Sequence, residues 1–342
     1  EFIMNRNSNA KMSFETSISR TWFTKINFDI ISKRKVAYVI SALLIVVGMS
    51  TVAMQGGLNL GVDFQGGRSY IVKFDQDVKV GDVRSDLKKV FGDASCEVKT
   101  FDGDKNVQIK TNYMLNSTDE KVDSIVKATL LDGLVSFKDV NKEIVQSIKV
   151  NPTISADIKE KSLISVLISL VAIFLYIRVR FKKVQFGIGA LIALFHDVLV
   201  VISVFSIARL FGVNFEIDSI FIASMLTIVG YSVNDTVVVF DRVREFLGRN
   251  SKMELAPLFN DAINSTMSRT IMTSLTTLVV VAILLVFGGD ALRGFSFALF
   301  VGIIVGTYSS IFIATPVVLD TSKKKIIEEG EKVKVKNEDE TV

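Results

Sequence analysis

Apolar runs alternate with short polar segments along most of the chain, and six of the runs are long enough to be membrane-spanning helices. A helix rises about 1.5 Å per residue, so about 20 apolar residues cross the hydrocarbon core of a bilayer. The second run is short, and it reaches that length only if it begins near Ile158, with Lys159 and Lys161 extending to the interface. The six predicted spans are 36–54, 163–177, 184–208, 217–240, 270–288 and 295–319.

Between the first and second spans the pattern is that of a water-soluble domain of about 100 residues. Alternating polar and apolar residues predict strands, and apolar residues spaced by three and four predict helices. A capping box at 117–120 marks the start of the second helix. The order strand–helix–strand–strand–helix–strand predicts a ferredoxin-like α+β sandwich. The predicted strands are 69–74, 96–101, 106–112 and one within 143–150, and the predicted helices are 80–91 and one that runs through 122–130.

Lysine and arginine flank the six spans unevenly. They are frequent before span one, between spans two and three, between spans four and five, and after span six, whereas the other short loops hold one arginine each, Arg209 and Arg293. The positive-inside rule therefore predicts that both termini are cytoplasmic and that the α+β domain lies outside. The predicted organisation is a cytoplasmic segment at 1–35, transmembrane helix one at 36–55, an extracytoplasmic domain at 56–157, transmembrane helices two to six at 158–319, and a cytoplasmic disordered tail at 320–342.

Composition supports insertion in a lipid bilayer and excludes several other classes of protein. The 342 residues are 49% hydrophobic, with a mean hydropathy of +0.42. The net charge is only +4, and basic residues cluster at the ends of apolar runs, so binding to nucleic acid is not expected. Cys96 is the single cysteine and His196 the single histidine, so neither an intrachain disulfide nor a histidine-based metal cage is predicted.

The fourth span contains a carboxylate, Asp235, near its predicted cytoplasmic end. A charge inside the membrane costs about 2.5–3.5 kcal/mol or more unless it is paired, hydrated or protonated. Polar residues around Asp235 recur at spacings of three and four, which places them on one helix face. A second such stripe begins at Arg269 in the antiparallel fifth helix, and together they predict an Asp235–Arg269 pair facing a hydrated interior. The stripes consist of Ser224, Thr227, Tyr231, Asn234 and Asp235, and of Arg269, Thr273, Thr276 and Thr277.

Two interpretations of the Asp235–Arg269 pair are open from the sequence. In the first, it is a static ion pair that only holds two helices together. In the second, Asp235 takes up and releases a proton, because an arginine neighbour favours the charged carboxylate and removal from water disfavours it. Movement of Arg269 would then switch the proton affinity of Asp235. The second interpretation makes the proton the coupling ion, and no other cofactor is predicted.

His196 and Asp197 lie together in the middle of the third span. A lone histidine in a membrane helix is often a hydrogen-bonded packing residue. The adjacent aspartate favours the alternative, a second polar group in the same hydrated interior. Neighbouring residues of a helix point about 100° apart, so the two side chains need not both face that interior.

The segment GVDFQGG, with Asp63, Gly66 and Gly67, follows the first span directly. It is not a phosphate-binding loop, because no Lys-Ser/Thr follows the glycines. It is either a simple turn or a hinge between the membrane and the α+β domain.

Small residues recur at four-residue spacing in the sixth span, at Gly294, Ala298, Gly302, Gly306 and Ser310. Such a face lets helix backbones approach closely, so it predicts that span six is central to a tightly packed bundle.

Several segments together resemble the SecF family, the membrane subunit of the SecD–SecF accessory complex of bacterial protein export. The match runs over about 33–320, and GYSVNDTVVVFDRVRE followed by SRT is its most specific part. GVDFQGG alone is a weak signal, because SecD has a similar element. The segments are GVDFQGG, NPTIS at 151–155, LFHDV in the third span, GYSVNDTVVVFDRVRE in the fourth, and NSTMSRT before the fifth.

The resemblance implies a resistance-nodulation-division type membrane fold, a proton-driven role and a place in the bacterial plasma (inner) membrane. It implies association with SecD, separate or fused upstream, with the SecYEG channel and with YajC, and it makes an unfolded preprotein the cargo. The acidic and arginine residues of the family's membrane region fall on Asp235 and Arg269. Asn151-Pro152-Thr153 stands where Gly-Pro is more usual, and the long polar N-terminal stretch fits the linker of a fused SecD–SecF chain.

The function predicted from these observations is assistance of preprotein translocation by the proton motive force, without catalysis of a bond change. One alternative is a half-size exporter of small molecules or lipids from the same superfamily, for which the predicted external domain is small. The other is an intramembrane aspartyl hydrolase, which needs two facing aspartates. Asp197 and Asp235 are the candidates, although Arg269 beside one of them disfavours a dyad that shares a proton.

Overall fold

The computed structural model describes residues 28–92, 94, 96–101, 103–115, 117, 121–249 and 253–322. Three predictions fall wholly or largely outside those residues: the cytoplasmic segment before residue 28, the side chains of the capping box at 118–120, and the tail from residue 323.

Six of the described helices are long and apolar enough to cross a membrane, which agrees with the six predicted spans. The first, α1, precedes the α+β domain, and the other five, α5 to α9, follow it. These helices are α1 at Ile30–Met54, α5 at Pro152–Phe181, α6 at Val184–Leu210, α7 at Ser219–Arg249, α8 at Leu255–Phe287 and α9 at Gly289–Ser309, which continues through a π-helical turn at Ser310–Ala314 to residue 322.

The helices extend further beyond the apolar runs than the sequence predicted. The helix of the second span, α5, begins at Pro152, and proline is well suited to the first helical turn because its missing N–H would have no partner there. The sequence between the fourth and fifth predicted spans is amphipathic over 241–268, and most of it forms the ends of α7 and α8. Leu258, Phe259, Ala262 and Ile263 of this stretch are buried at helical spacing, so the amphipathic pattern reflects a helix packed on the bundle.

The α+β domain has the predicted order of elements and the predicted fold. Its sheet is antiparallel with the strand order β2-β3-β1-β4, which is the ferredoxin-like arrangement. The two helices pack on one face of the sheet through residues such as Val83, Leu87 and Val126, each fully buried. The elements are a short helix α2 at Val62–Gln65, β1 at Gly67–Phe74, α3 at Val80–Phe91, β2 at Cys96–Thr100, β3 at Asn106–Thr111, α4 at Val122–Gly133 and β4 at Lys142–Val150.

The domain connects to the bundle at one corner of its sheet. The chain enters the sheet at Gly67 and leaves it at Val150, and these two residues are paired across β1 and β4. The segment after α1 also pairs with the loop before α7: Gly61 N–H donates to Ile217 O at 2.9 Å, and Ile217 N–H donates to Asn59 O at 2.7 Å. The beginning of α7 is therefore joined by backbone hydrogen bonds to the segment that leads into the domain.

The small-residue face of α9 packs directly against α7, as predicted. A Cβ atom added at Gly302 would lie 2.4 Å from the side chain of Ile228, and one at Gly306 would lie 3.0 Å from Ser232. Real Cβ atoms do not approach other atoms as closely as 2.4 Å, so the two helices could not pack at this distance with alanine at position 302.

We expect Gly302→Ala to lower the stability of the bundle by about 1–3 kcal/mol, the usual cost of overpacking, because Ile228 must move. Gly230→Ala is the matched control, since it adds the same methyl group to a packed helix where no atom lies within 4 Å. It should be neutral or stabilising by up to about 1 kcal/mol. Thermal unfolding of the detergent-solubilised protein measures both, and equal melting temperatures for the two variants would contradict the close packing of α7 and α9.

Candidate functional site: two buried carboxylates in the helix bundle

Asp235 of α7 is buried, with 2% of its surface exposed, and hydroxyl groups provide its hydrogen bonds. Its Oδ2 accepts from Ser274 Oγ of α8 at 3.1 Å and from Thr307 Oγ1 of α9 at 3.4 Å. The two hydroxyl oxygens are themselves 2.6 Å apart. A hydroxyl group both donates and accepts, so this pair can serve an ionised or a protonated carboxylate.

The predicted direct pair between Asp235 and Arg269 is not formed in this structure. No contact within 4.0 Å joins the two charged groups, and the Arg269 side chain is exposed on the surface of the chain. Arg269 lies within electrostatic range of Asp235 nevertheless. The reason is rotational: Ser274, which does contact Asp235, is five residues after Arg269 and lies about 140° around α8 from it.

The polar stripe predicted on α7 does not form one buried surface. Ser224 and Asp235 are buried, Tyr231 is half-buried, and Thr227 and Asn234 are exposed. At about 100° per residue, Thr227 and Asn234 lie about 60–80° to one side of Ser224, whereas Asp235 lies about 20° to the other side, toward the bundle. The stripe therefore straddles the edge of the interior, with Asp235 on its inner border.

The exposed hydroxyl groups near Asp235 are bonded mainly within their own helices. Thr227 Oγ1 donates to Ala223 O at 2.8 Å, and Thr273 Oγ1 donates to Arg269 O at 2.9 Å. Tyr231 is the predicted residue that reaches across, with its hydroxyl 3.5 Å from Thr277 Oγ1. Thr273, Thr227 and Asn234 thus do not contact Asp235 here, and their part in a proton pathway stays a prediction.

Asp197 of α6 is fully buried and is the second carboxylate of the bundle. Its Oδ2 accepts from Ser232 Oγ of α7 at 2.6 Å and from Ser309 Oγ of α9 at 2.9 Å. Its Oδ1 is 3.0 Å from Nδ1 of His196, which carries the ring proton when the carboxylate is ionised. Both oxygens are bonded to protein groups, and three helices meet at this side chain.

His196 is buried beside Asp197, so both residues face the interior, one of the two orientations left open by the sequence. Its Nε2 is buried and has no hydrogen-bond partner within the described residues. The imidazole ring lies 6.0 Å from the ring of Tyr308, whose hydroxyl donates to Ala37 O at 3.0 Å. His196 therefore has one ring nitrogen bonded to Asp197 and one without a partner among the described residues.

The two carboxylates are held by nearby positions of α7 and α9. On α7, Ser232 contacts Asp197 and lies three residues before Asp235, a rise of about 4.5 Å. On α9, Thr307 contacts Asp235 and Ser309 contacts Asp197. The two acids are thus bonded to different residues of the same two helices, and neither carboxylate bonds to the other.

Sequence reasoning missed the residues that hold the two carboxylates. Ser232 lies three residues before Asp235, and that spacing could have pointed to it. Thr307 and Ser274 gave no such signal, since they lie on other helices and single hydroxyl residues are common in membrane helices. The hydroxyl residues missed are Ser232, Ser274, Thr307 and Ser309.

The glycine-rich segment with Asp63, Gly66 and Gly67 joins the domain to α7. Asp63 Oδ2 accepts the N–H of Ser219 at 3.1 Å, so it satisfies a free donor at the beginning of that helix. Gly66 and Gly67 have φ values of 74° and 149°, which side chains other than glycine rarely adopt, and they turn the chain from α2 into β1. The segment is thus a structured connection, and a hinge motion at it remains a prediction.

Comparison with known proteins agrees with this architecture. Residues 131–324 match the family model of the C-terminal part of the protein export membrane proteins SecD and SecF, and residues 55–78 match the SecD/SecF GG motif. The protein translocase subunit SecF of Rhodothermus marinus is 41% identical over 299 residues, which cover 87% of this chain and 94% of that protein. SecF of Thermodesulfovibrio yellowstonii is 40% identical over 307 residues, which cover 89% of this chain and 97% of that protein.

Two solved structures of SecDF have a similar fold. The crystal structure of SecDF, a translocon-associated membrane protein from Thermus thermophilus, superposes with a TM-score of 0.73 at 32% identity and covers 89% of this chain. A structure of SecDF in the super-membrane-facing form superposes with a TM-score of 0.64 at 31% identity. This chain spans 40% and 41% of those two SecDF chains.

Six apolar helices with buried carboxylates, and one ferredoxin-like domain between the first two of them, define a multi-pass membrane protein with ionisable groups at the centre of its bundle. The family-model matches, and the sequence identity over nearly the whole length of the relatives, identify the family more specifically than the fold does. The chain belongs to the SecF family of protein translocase subunits and has an accessory role in Sec-dependent export.

We expect Asp197→Ala to destabilise the bundle strongly, because it removes the acceptor of Ser232, Ser309 and His196 at once. Each buried donor left without a partner costs about 1–3 kcal/mol. Asp235→Asn is the matched comparison, since its amide oxygen can still accept from Ser274, and its melting temperature should stay near that of the unmodified protein. Thermal unfolding in detergent tests both, and an Asp197→Ala protein as stable as the original would show that this carboxylate does not hold α6, α7 and α9 together.

Proposed function

We propose that this chain uses the proton motive force to assist the translocation of unfolded preproteins, with Asp235 as the residue that takes up and releases the proton. The observation that carries the proposal is that Asp235 is buried in the bundle and contacted by neutral hydroxyl groups. A permanently ionised carboxylate at this depth would be costly without a cation in contact with it. A carboxylate that alternates between two protonation states fits a site whose partners can either donate or accept.

Arg269 is the residue that would distinguish the two protonation states. It is exposed one helix away from Asp235 and is close enough to interact with it through space. When Asp235 is ionised, attraction would draw the guanidinium group toward it, and when Asp235 is protonated that attraction is lost. A relative movement of α7 and α8 would follow from this alternation. Asp197 and His196 form the adjacent polar group through which a proton could pass between levels of the bundle.

The energy available is sufficient for such a movement. Each charge that crosses the membrane supplies about 2.3 kcal/mol per 100 mV. That is enough to bias a domain between two positions and too little to unfold a stable protein in one step. We therefore propose that the chain retains or pulls a segment that is already unfolded, through repeated small movements of the α+β domain.

The proposal includes a location and partners. The α+β domain lies on the outer face of the bacterial inner membrane and both termini are cytoplasmic, because basic residues flank the spans on the other side. SecD is the first partner, since the similar solved structures are SecDF chains of which this chain spans about two fifths. The SecYEG channel and YajC are the further partners proposed.

The two alternative functions fit the site less well. An intramembrane aspartyl hydrolase needs two carboxylates in contact, but Asp197 and Asp235 are bonded to different hydroxyl groups. A small-molecule or lipid exporter has no support from the relatives, which are named as protein translocase subunits.

We expect Asp235→Asn to abolish proton-dependent export while the protein accumulates normally, because asparagine keeps the size and one acceptor but cannot ionise. Arg269→Lys keeps the charge and loses the planar guanidinium group, so a partial loss is expected, and Arg269→Met should cause a severe loss. Export of a secreted precursor, measured with and without an uncoupler, gives the result. The control is Gly230→Ala, which changes an exposed position of α7 where an added methyl group meets no other group within 4 Å, and it should retain export.

The double variant Asp235→Asn with Arg269→Met separates a proton carrier from a static ion pair. If the two residues form only a structural pair, removing both restores the balance of charge and with it export. If Asp235 carries the proton, the double variant is stable but inactive. An active double variant would therefore refute the proposed role of Asp235.

The orientation has its own test, in a protein without its native cysteine (Cys96→Ser). A cysteine in place of Lys105, which is exposed in the α+β domain, should react with a membrane-impermeant maleimide. The reagent is added to cells whose outer membrane has been permeabilised and whose inner membrane is intact. A cysteine at Met253, exposed between α7 and α8, should react only after the inner membrane is permeabilised. The reverse labelling pattern would overturn the orientation and the contact of the domain with an exported chain.

A further inference from the structure

An ion cluster connects the α+β domain to the loop between α6 and α7, beside the segment at Gly61 that leads from α1 into the domain. Its centre is Glu216 of that loop, whose side chain is only 4% exposed. The carboxylate contacts Lys99 of β2 at 3.0 Å and also contacts Lys110 of β3. Lys99 contacts Glu97 of the same strand at 3.0 Å as well. The cluster thus joins one membrane-side residue to the β2–β3 hairpin.

The position of this hairpin in the sheet makes the cluster mechanically important. The strand order is β2-β3-β1-β4, and the chain connects to the bundle through β1 and β4 at the paired residues Gly67 and Val150. With these two adjacent attachments alone, the sheet could rotate about the corner where they lie. The contacts of Glu216 with β2 and β3 hold the two strands that carry no chain connection to the bundle.

The region around the cluster is not closely packed. A cavity of about 570 Å³ lies beside it, between the hairpin and the ends of α7 and α9. Apolar and charged side chains both line this cavity, and the charged ones come from the domain and from the helix ends. The charged groups are Arg84, Glu97, Lys99, Lys110, Glu216, Asp218 and Arg293.

Glu216 is also close to the start of the helix that carries Asp235. The next residue, Ile217, is hydrogen-bonded to Asn59 O, and Asp218 caps the helix by accepting the N–H of Phe221 at 2.8 Å. α7 begins at Ser219, three residues after Glu216. A displacement of α7 along or about its axis therefore reaches Glu216 through a short and hydrogen-bonded segment.

We propose that Glu216 is a coupling residue: with Lys99 and Lys110 it latches the β2–β3 side of the α+β domain to the outer end of α7, so that movement of α7 moves the domain as a lever about its β1–β4 corner. The idea rests on the proposed function, because it names the contact by which a change at Asp235 would reach the domain. Removing one partner of a buried ion cluster leaves the others uncompensated, so the latch should be sensitive to single substitutions.

The position of the domain can be measured without reference to export. In the Cys96→Ser protein, spin labels at Lys105→Cys, near the tip of the hairpin, and at Phe211→Cys, in the α6–α7 loop, report their separation by double electron–electron resonance. Both side chains are exposed. We expect one narrow distribution of distances with Glu216 present and a broad one with Glu216→Gln. Lys110→Gln, which breaks the same contact from the other side, should have the same effect.

Asp218→Asn is the matched control. It removes one negative charge from the same loop and the same cavity, and asparagine can still cap α7. Its distribution of distances should stay narrow. If Asp218→Asn broadens the distance distribution as much as Glu216→Gln does, the loss of any negative charge from the cavity has this effect. The specific latch is then refuted.

Export separates the latch from the proton step. We expect Glu216→Gln to lower export by about fivefold or more, the lower end of usual coupling between distant sites. Asp235→Asn should stop export while the distance distribution stays narrow, so a failure of the proposed function would leave the measurement of the latch intact. A narrow distribution with Glu216→Gln, or a broad one with full export, would overturn the coupling role.

A covalent link offers a rescue. Cysteines at Lys110 and Glu216 in the Cys96→Ser protein, joined by a short reducible cross-linker, should restore the narrow distribution and export. Reduction of the linker should then remove both. Restored geometry without restored export would show that the charges act in another way than by holding the domain.

The latch should also respond to the pH on its own side of the membrane. Burial, and then the neighbouring Glu216, raise the pKa of Glu97 to about 7. Burial also disfavours ionisation of Glu216, but its hydrogen bond with Glu97 and the charges of Lys110 and Lys99 outweigh this and hold its pKa at about 2. At pH 6 a protonated Glu97 therefore donates to an ionised Glu216.

The sign of the pH effect follows from the raised pKa of Glu97. Its contribution to the contact is complete below the ordinary value of 4.5 and is lost as the pH rises toward about 7. The distance distribution should thus be narrower at pH 6 than at pH 8. Glu97→Gln should remove this dependence, and an unchanged dependence in that variant would assign it to another group of the cavity.

Discussion

The bundle is organised by one constraint, that polar groups inside a membrane must find their partners within the protein. Two carboxylates are placed there, and serine and threonine hydroxyls from three neighbouring helices surround them. Because Gly302 and Gly306 have no side chains, α9 lies close enough to α7 for these hydroxyls to reach the carboxylates. Close packing and polar satisfaction therefore depend on each other, since a larger residue on α9 would separate the donors from the acids.

The same helix, α7, links the two parts of the molecule. Asp235 lies in its interior, Asp63 and Asp218 satisfy N–H groups at its beginning, and Glu216 precedes it by three residues. The α+β domain contacts this helix end through both its GG segment and its β2–β3 hairpin. An event at the buried carboxylate thus has a short physical route to the domain, along one rigid element and through named contacts.

The sequence predicted the elements well and their mutual contacts poorly, for physical reasons. Helix 80–91 agrees with the structure to the residue, because Val83, Leu87 and Phe91 repeat with the helical period and bury one face. The partners of Asp235 were missed because Ser274 and Thr307 lie on other helices, and the rotation of each helix about its axis is set by packing that one sequence does not reveal. The prediction of a direct contact between Asp235 and Arg269 was wrong for the same reason. Glu216 left no periodic signal at all, since it stands alone in a short loop.

The π-helical turn at Ser310–Ala314 changes the rotation, about the helix axis, of the residues that follow it in the sixth span. One additional residue per turn advances the following helix by about 100° relative to a regular α-helix. The neighbours Ser309 and Ser310 both face the interior, one toward Asp197 and the other toward Thr236, and the residues after the turn still bury Ala314 and Val318. Two helical segments with different phases thus share one buried face. Loss of a single residue within the turn would rotate one segment against the other and expose part of that face.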